Sequence, residues 1–122
     1  MSHPEPASLT ARELLRAYRS EDLRADEVIA ASYECLSDIG RAEGIVLALA
    51  DPSTISEASQ ESTRRWRAGE PRPLEGIPVG IKDIIATADM PTTGGSAVLG
   101  DALAGQDASC VSRLRDNAAC PV

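Results

Sequence analysis

The run Gly76-Ile77-Pro78-Val79-Gly80-Ile81-Lys82-Asp83-Ile84-Ile85 decides the fold class. Ile77, Val79 and Ile81 alternate along it, the period of a strand with one buried face. Just upstream, Pro71-Arg72-Pro73 forms a hinge at which the composition changes. Downstream, a loop containing Gly, Thr and Pro occupies roughly residues 86–106, and Asp107 can cap a helix bearing Val111, Leu114 and Ala118. Ala119-Cys120-Pro121-Val122 then reads as the beginning of another strand. Strand, loop, helix and strand open a βαβ unit, and a parallel sheet of that kind needs neighbours on either side and cover on both faces. Two short strands, the one over residues 76–85 and an upstream run at Ile45–Leu49, with the stub at residues 119–122, leave such a sheet unfinished.

Ahead of the hinge the chain reads as helical. Thr10 can cap a helix with Glu13 reaching back to it, and Leu9 and Leu14 occupy the staple positions, so a first helix runs from about Ala11 to Tyr18. Val28, Ser32, Cys35, Leu36 and Ile39 mark one face of a second helix that Gly40 and Gly44 end. Ile45-Val46-Leu47-Ala48-Leu49 reads as a short buried strand. A third helix follows Pro52, carries Ile55, Ala58 and Trp66, and stops at Gly69. The expected class is α/β, with a helical segment over residues 1–72 and the start of a core over residues 73–122. That core is a mixed sheet covered by helices, incomplete as it stands.

Composition narrows the function. With 122 residues, 43% of them hydrophobic, and a net charge of −7, the chain makes one soluble domain at most. There is no Phe, and the aromatics are Trp66, Tyr18 and Tyr33, so the core is expected to be aliphatic and thin. The longest apolar run, Ile45 to Ala50, is far shorter than a membrane span, and the start Met1-Ser2-His3-Pro4-Glu5-Pro6 lacks a basic leader. A cytoplasmic location is expected. Cys35, Cys110 and Cys120 have no C-x-x-C spacing and His3 is the one histidine, a pattern that argues against a disulfide framework or a zinc site. No metal or cofactor is expected. The acidic balance argues against nucleic acid as a partner. Arg64-Arg65-Trp66-Arg67 is basic, but it falls at a helix end, where cations complement the helix dipole.

One residue stands apart among the cations. Eleven of the twelve basic residues are arginine, and the exception is Lys82, within the most apolar stretch. Lysine can become neutral when desolvated, which arginine cannot. On the residues alone, a strand lysine that snorkels or pairs with an acid is the simpler account. Asp83 faces the opposite side of a regular strand and is not its close partner there. A phosphate loop does not fit: three residues separate Gly76 from Gly80, Ile81 precedes the lysine, and Asp83 follows it. Ser96, in Thr92-Thr93-Gly94-Gly95-Ser96, lacks a G-x-S-x-G elbow and a nearby histidine, so a polar surface loop accounts for it.

Three stretches together carry a resemblance. Pro73 to Asp83, then Pro91-Thr92-Thr93-Gly94-Gly95-Ser96, then Asp107-Ala108 before Val111-Ser112-Arg113-Leu114-Arg115 resemble the start of the amidase signature family. Thr10-Ala11-Arg12-Glu13-Leu14 is similar too, although residues 73–115 carry the specificity. The resemblance implies that Lys82 is the lysine of a Ser–cis-Ser–Lys triad. In that family a neutral lysine takes a proton through a bridging serine while a second serine attacks the amide carbonyl, giving an acyl-enzyme that water or ammonia resolves. A free lysine is charged at neutral pH, so burial must supply the neutral form.

The family's bridging serine and its Gly/Ser-rich nucleophile loop lie well beyond the lysine, and nothing here resembles them; Ser96 and Ser112 are not substitutes. Asp89-Met90 stands where a glycine is more usual. The expected role is therefore the N-terminal piece of an amidase acting on carbon–nitrogen bonds, inactive alone. The expected substrate is a small-molecule amide bound by the full-length form, and small amides, ureides and aminoacyl-tRNA amidotransfer are all compatible. Self-association through the exposed sheet is the partner expected of the isolated segment. The alternative is a non-catalytic remnant that docks on a partner.

Overall fold

A computed structural model describes residues 5–122; the opening stretch read above for a leader lies outside it as far as Pro4, and His3 with it. Helix α1 spans Ala11–Arg19, one residue beyond the expected end. Its capping box is formed: the Thr10 hydroxyl accepts from the Glu13 amide at 3.3 Å, and the Glu13 carboxylate accepts from the Thr10 amide at 2.8 Å. Helix α2 spans Ala25–Cys35 and continues into a π-helical turn, Leu36–Gly40. Helix α3 spans Pro52–Ala68, capped at its start by the Asp51 carboxylate and at its end by Gly69 in the left-handed conformation at φ 73°.

The faces of α2 and α3 differ from expectation. In α2 the buried or half-buried stripe is Ala25, Val28, Ile29, Ser32, Tyr33 and Leu36, while Cys35 is exposed and Ile39 is 61% exposed. That stripe follows i, i+3, i+4, i+7, i+8, i+11, a better helical period than one through Cys35 and Ile39. In α3 Ala58 is exposed, and the face turned inward is Ile55, Ser59, Ser62, Thr63 and Trp66. The buried hydroxyls there find partners: Thr63 Oγ1 accepts from the Asp26 amide at 3.1 Å, and Ser62 donates to Glu75 at 2.6 Å.

The sheet is small and parallel. Strand β1 is Pro78–Val79 and strand β2 is Cys120–Pro121, paired Pro78 with Cys120 and Val79 with Pro121. Helix α4, Ser109–Asp116, precedes β2. The expected long strand over residues 76–85 is thus shortened to two residues. A turn with Gly76 at φ 78° precedes it, and a turn closed by the Ile85 amide on the Lys82 carbonyl at 2.9 Å follows it. Among the described residues β1 is paired only with β2, and its ladder lasts as long as that partner does.

The expected strand at Ile45–Leu49 is absent. Ile45 is 75% and Leu47 62% exposed, and the Ile45 and Val46 amides turn back to the Gly40 carbonyl at 2.8 and 3.0 Å. No strand among the described residues pairs with it, so the apolar run lies as an open wall. Asp107 is also displaced from its expected role. Ala108 occupies the cap of α4, while Asp107 accepts from the Ala88 amide at 2.8 Å and pairs with Arg115 at 3.0 Å.

Two cores hold these elements together. Ile29, Ala50, Ile55, Met90, Cys120 and Val122 form one; Leu14, Tyr18, Ala25, Val28 and Ile77 form the other. Complete burial of Val28 and Ile29 contributes about 1.5–3 kcal/mol each. The cores are not purely aliphatic. Tyr18 is buried and its ring stands 5.7 Å from that of Trp66 at 57°, an edge-tilted contact. Helix-rich, with a two-stranded parallel sheet, the chain is an unfinished α/β arrangement.

Candidate active site

Lys82 is exposed, just past β1, on the wall of an open groove of about 580 Å³. Gly44–Ala48 line it too, as do Ile84, Met90, Gly94 and Val122 among others. Lys82 makes no ion pair or side-chain hydrogen bond among the described residues. Nor does the neighbouring glycine bring backbone against it: a Cβ built on Gly80 would meet nothing within 4 Å.

The backbone beneath the lysine is fixed from both sides. On the strand side, Tyr18 donates its hydroxyl to the Gly76 carbonyl at 3.0 Å, and Trp66 Nε1 donates to the Glu75 carbonyl at 3.1 Å. Burial pushes the Tyr18 hydroxyl well above its ordinary value, so it stays a donor. On the loop side, Asp83 accepts from the Thr93 amide at 2.8 Å, from the Gly95 amide at 3.2 Å and from the Thr93 hydroxyl, while its main-chain carbonyl accepts from the Gly94 amide at 2.7 Å. The Thr93 hydroxyl and amide, then Gly95 and Lys82, hold the Asp83 carboxyl below the ordinary carboxylate range. Lys82 and Asp83 share a turn, so the opposite-face relation expected of a regular strand does not apply.

The other candidate nucleophiles are occupied or remote. The Ser96 hydroxyl accepts from the Val98 amide at 3.3 Å, and Ser112 lies on α4; neither bonds to Lys82. Cys120 is buried in the sheet, and burial, against a smaller opposing effect of Arg115, pushes its thiol up to about 11. Among the described residues no group of three or more His, Cys, Asp or Glu is placed to hold a metal, and no helix is long and apolar enough to cross a membrane.

Known proteins share this segment. The family model described as Amidase matches residues 27–122, from the first turn of α2 through β2. The chain belongs to the Amidase family. It is 32% identical over 108 residues to the A-type glutamyl-tRNA(Gln) amidotransferase subunit of Clostridium novyi, covering 88% of this chain and 22% of that protein. It is 35% identical over 112 residues to the protein of the same name in Nitratidesulfovibrio vulgaris, covering 89% and 22%. A third, from Mycolicibacterium vanbaalenii, is 43% identical over 70 residues, covering 56% and 14%. The chain spans about a fifth of the length of the curated relatives it matches first.

Within this Amidase segment, the structure brings the Lys82-Asp83 pair against Thr93-Gly94-Gly95, but among the described residues no serine bonds to the lysine. The part played by Asp83 is hidden in the sequence as long as strand geometry is assumed for it. One signal could have found it: Gly94-Gly95 after Thr93 is a turn sequence whose amides need an acceptor.

Proposed function

We propose that these residues supply the lysine base of an amidase-signature active site that acts on carbon–nitrogen amide bonds. In this reading neutral Lys82 takes the proton of a bridging serine, which takes that of a second serine as its oxygen attacks the amide carbonyl. The C–N bond then breaks, the amine leaves with the returned proton, and water or ammonia releases the acyl group from the serine ester. The serines and the oxyanion donors belong to polypeptide outside this chain. Residues 1–72 would form the helical flank of that domain and residues 73–122 the opening of its core. The observation that carries the reading is the position of the chain's single lysine: on a groove wall, in the family-matched segment, on backbone held by the Asp83 and Gly76 contacts.

As it stands the groove is open and the lysine hydrated. The proposal therefore requires that further polypeptide close over residues 80–85 and desolvate Lys82. A small-molecule amide would be the substrate of the completed enzyme, with hydrolysis or amidotransfer as the outcome. The test is a chimaera in which these 122 residues precede the remaining length of a relative. Lys82→Ala and Lys82→Arg should each cost at least about 10²-fold in acylation, because a guanidinium cannot accept the proton. Near-full activity of Lys82→Arg, with unchanged folding, would overturn the assignment. The docking alternative predicts instead that a partner binds equally well to native chain and Lys82→Ala, with no acylation from either.

A further inference from the structure

Residues 93–95 present three successive main-chain N–H groups to a single residue. Gly94 and Gly95 both have positive φ, 60° and 75°, and the Ser96 amide closes on the Thr93 carbonyl at 3.0 Å. Positive φ at both central residues with that closing bond is the pattern of a type I′ turn. A Cβ built on either glycine would meet nothing within 4 Å, so the glycines are needed for their conformation and not for space. The conformation aims the three N–H groups to one side, where such an arrangement makes an anion-binding concavity. Here it is filled from within the chain by Asp83, through both carboxylate oxygens and the main-chain carbonyl.

We propose that Asp83 is a positioning residue, whose capture by the Thr93–Gly95 turn fixes the Lys82 backbone at the groove wall. The Thr93 hydroxyl and the Thr93 and Gly95 N–H groups satisfy the carboxylate on the side of the loop. The same contacts join the lysine turn to a segment ten residues away with no regular ladder between them, so they tie loop and lysine together directly. This role in turnover rests on the reading of Lys82 as a base; the clamp itself does not.

The test has two readouts. In the ¹⁵N-labelled 122-residue chain, the Thr93, Gly94 and Gly95 amides should be protected from hydrogen exchange. Asp83→Asn, whose NH₂ group cannot accept from Gly95, should lower that protection about tenfold and loosen the Lys82 amide in heteronuclear NOE, leaving Val28 and Ile29 unchanged. Thr93→Val, which preserves charge, should give a smaller loss at the same amides. In the chimaera described above, Asp83→Asn should lower kcat roughly tenfold with KM unchanged, and Asp83→Glu should not restore it. Free exchange of residues 93–95 in the native chain, whatever the helices do, overturns the proposal. So does Asp83→Asn that leaves either the amide protection or kcat unaltered. Activity that survives Lys82→Ala would reject the base and not the clamp, which the exchange data judge separately.

Discussion

Arg72 closes on Glu75 across one turn, donating from Nε to one carboxylate oxygen at 2.8 Å and from Nη2 to the other at 3.0 Å, and the carboxylate so held has no exposed surface. The Ser62 hydroxyl at 2.6 Å and the Arg72 amide at 3.1 Å complete its shell. Through Ser62 this carboxylate ties the segment after the Pro-rich hinge to α3, just ahead of β1. A buried carboxylate is tolerated only when every lone pair direction is answered, and here four donors answer it.

Arg72→Ala should therefore destabilise the fold by about 1–3 kcal/mol, at the lower end because the arginine itself is 40% exposed. Arg72→Lys should recover little, since an ammonium cannot reproduce the two parallel bonds. Urea unfolding at pH 7 reads both; an unchanged midpoint in Arg72→Ala would show that the pair contributes nothing.

Acid should weaken the same contact. Burial pushes the Glu75 carboxyl up, but the Arg72 side chain, Ser62 and the Arg72 amide together outweigh it and leave the group below its ordinary 4.5. A carboxyl lowered in the native state stabilises fully above its unfolded value and loses that contribution as pH falls through the folded one. Stability should thus decline as pH falls below about 4.5, and Glu75→Gln should flatten part of that decline. An identical slope in the variant would reject the assignment.

Two glycines should respond differently to a methyl group. At Gly76 a Cβ would lie 2.6 Å from the Ala25 Cβ, on a backbone with φ 78°, so both space and conformation oppose it. At Gly95 only the positive φ opposes it. Gly95→Ala should cost about 1–2 kcal/mol and Gly76→Ala measurably more, because the Ala25 methyl is fixed to its helix and cannot swing away. Equal losses in thermal or urea unfolding would contradict the close approach.

The chain alone should hydrolyse no amide, and a fluorophosphonate should not label it, since among the described residues neither Ser96 nor Ser112 is hydrogen-bonded to a general base. Mass spectrometry after incubation reads this directly, and stoichiometric adduct on either serine would reveal a nucleophile.

The groove walls should make the isolated chain associate with itself. Ile45, Leu47 and Ile84 are 75%, 62% and 69% exposed on one lining, and a contiguous apolar surface of that kind favours contact with another apolar surface. Sedimentation velocity should show oligomers that grow with concentration and shrink in Leu47→Glu. A monomer at all concentrations would contradict it.

Local rules in the sequence determined a good deal. The Thr10–Glu13 box and the Gly69 stop follow from residues that act on backbone within one turn, and no distant partner is needed for them. The Pro73–Asp83, Pro91–Ser96 and Asp107–Arg115 stretches carried the family by residue type and spacing. Tertiary structure decided the rest, because those features depend on what lies opposite. Ile45–Leu49 has the composition of a strand but no strand beside it, so its amides return to Gly40. Asp107 had a cap within reach, yet Ala88 and Arg115 engage it. Asp83 could not be assigned a partner from its neighbours, since the donors that meet it lie ten to twelve residues away in a turn whose glycines are αL. Hydrophobic period reports which face is apolar; only the folded chain settles which groups are present to meet it.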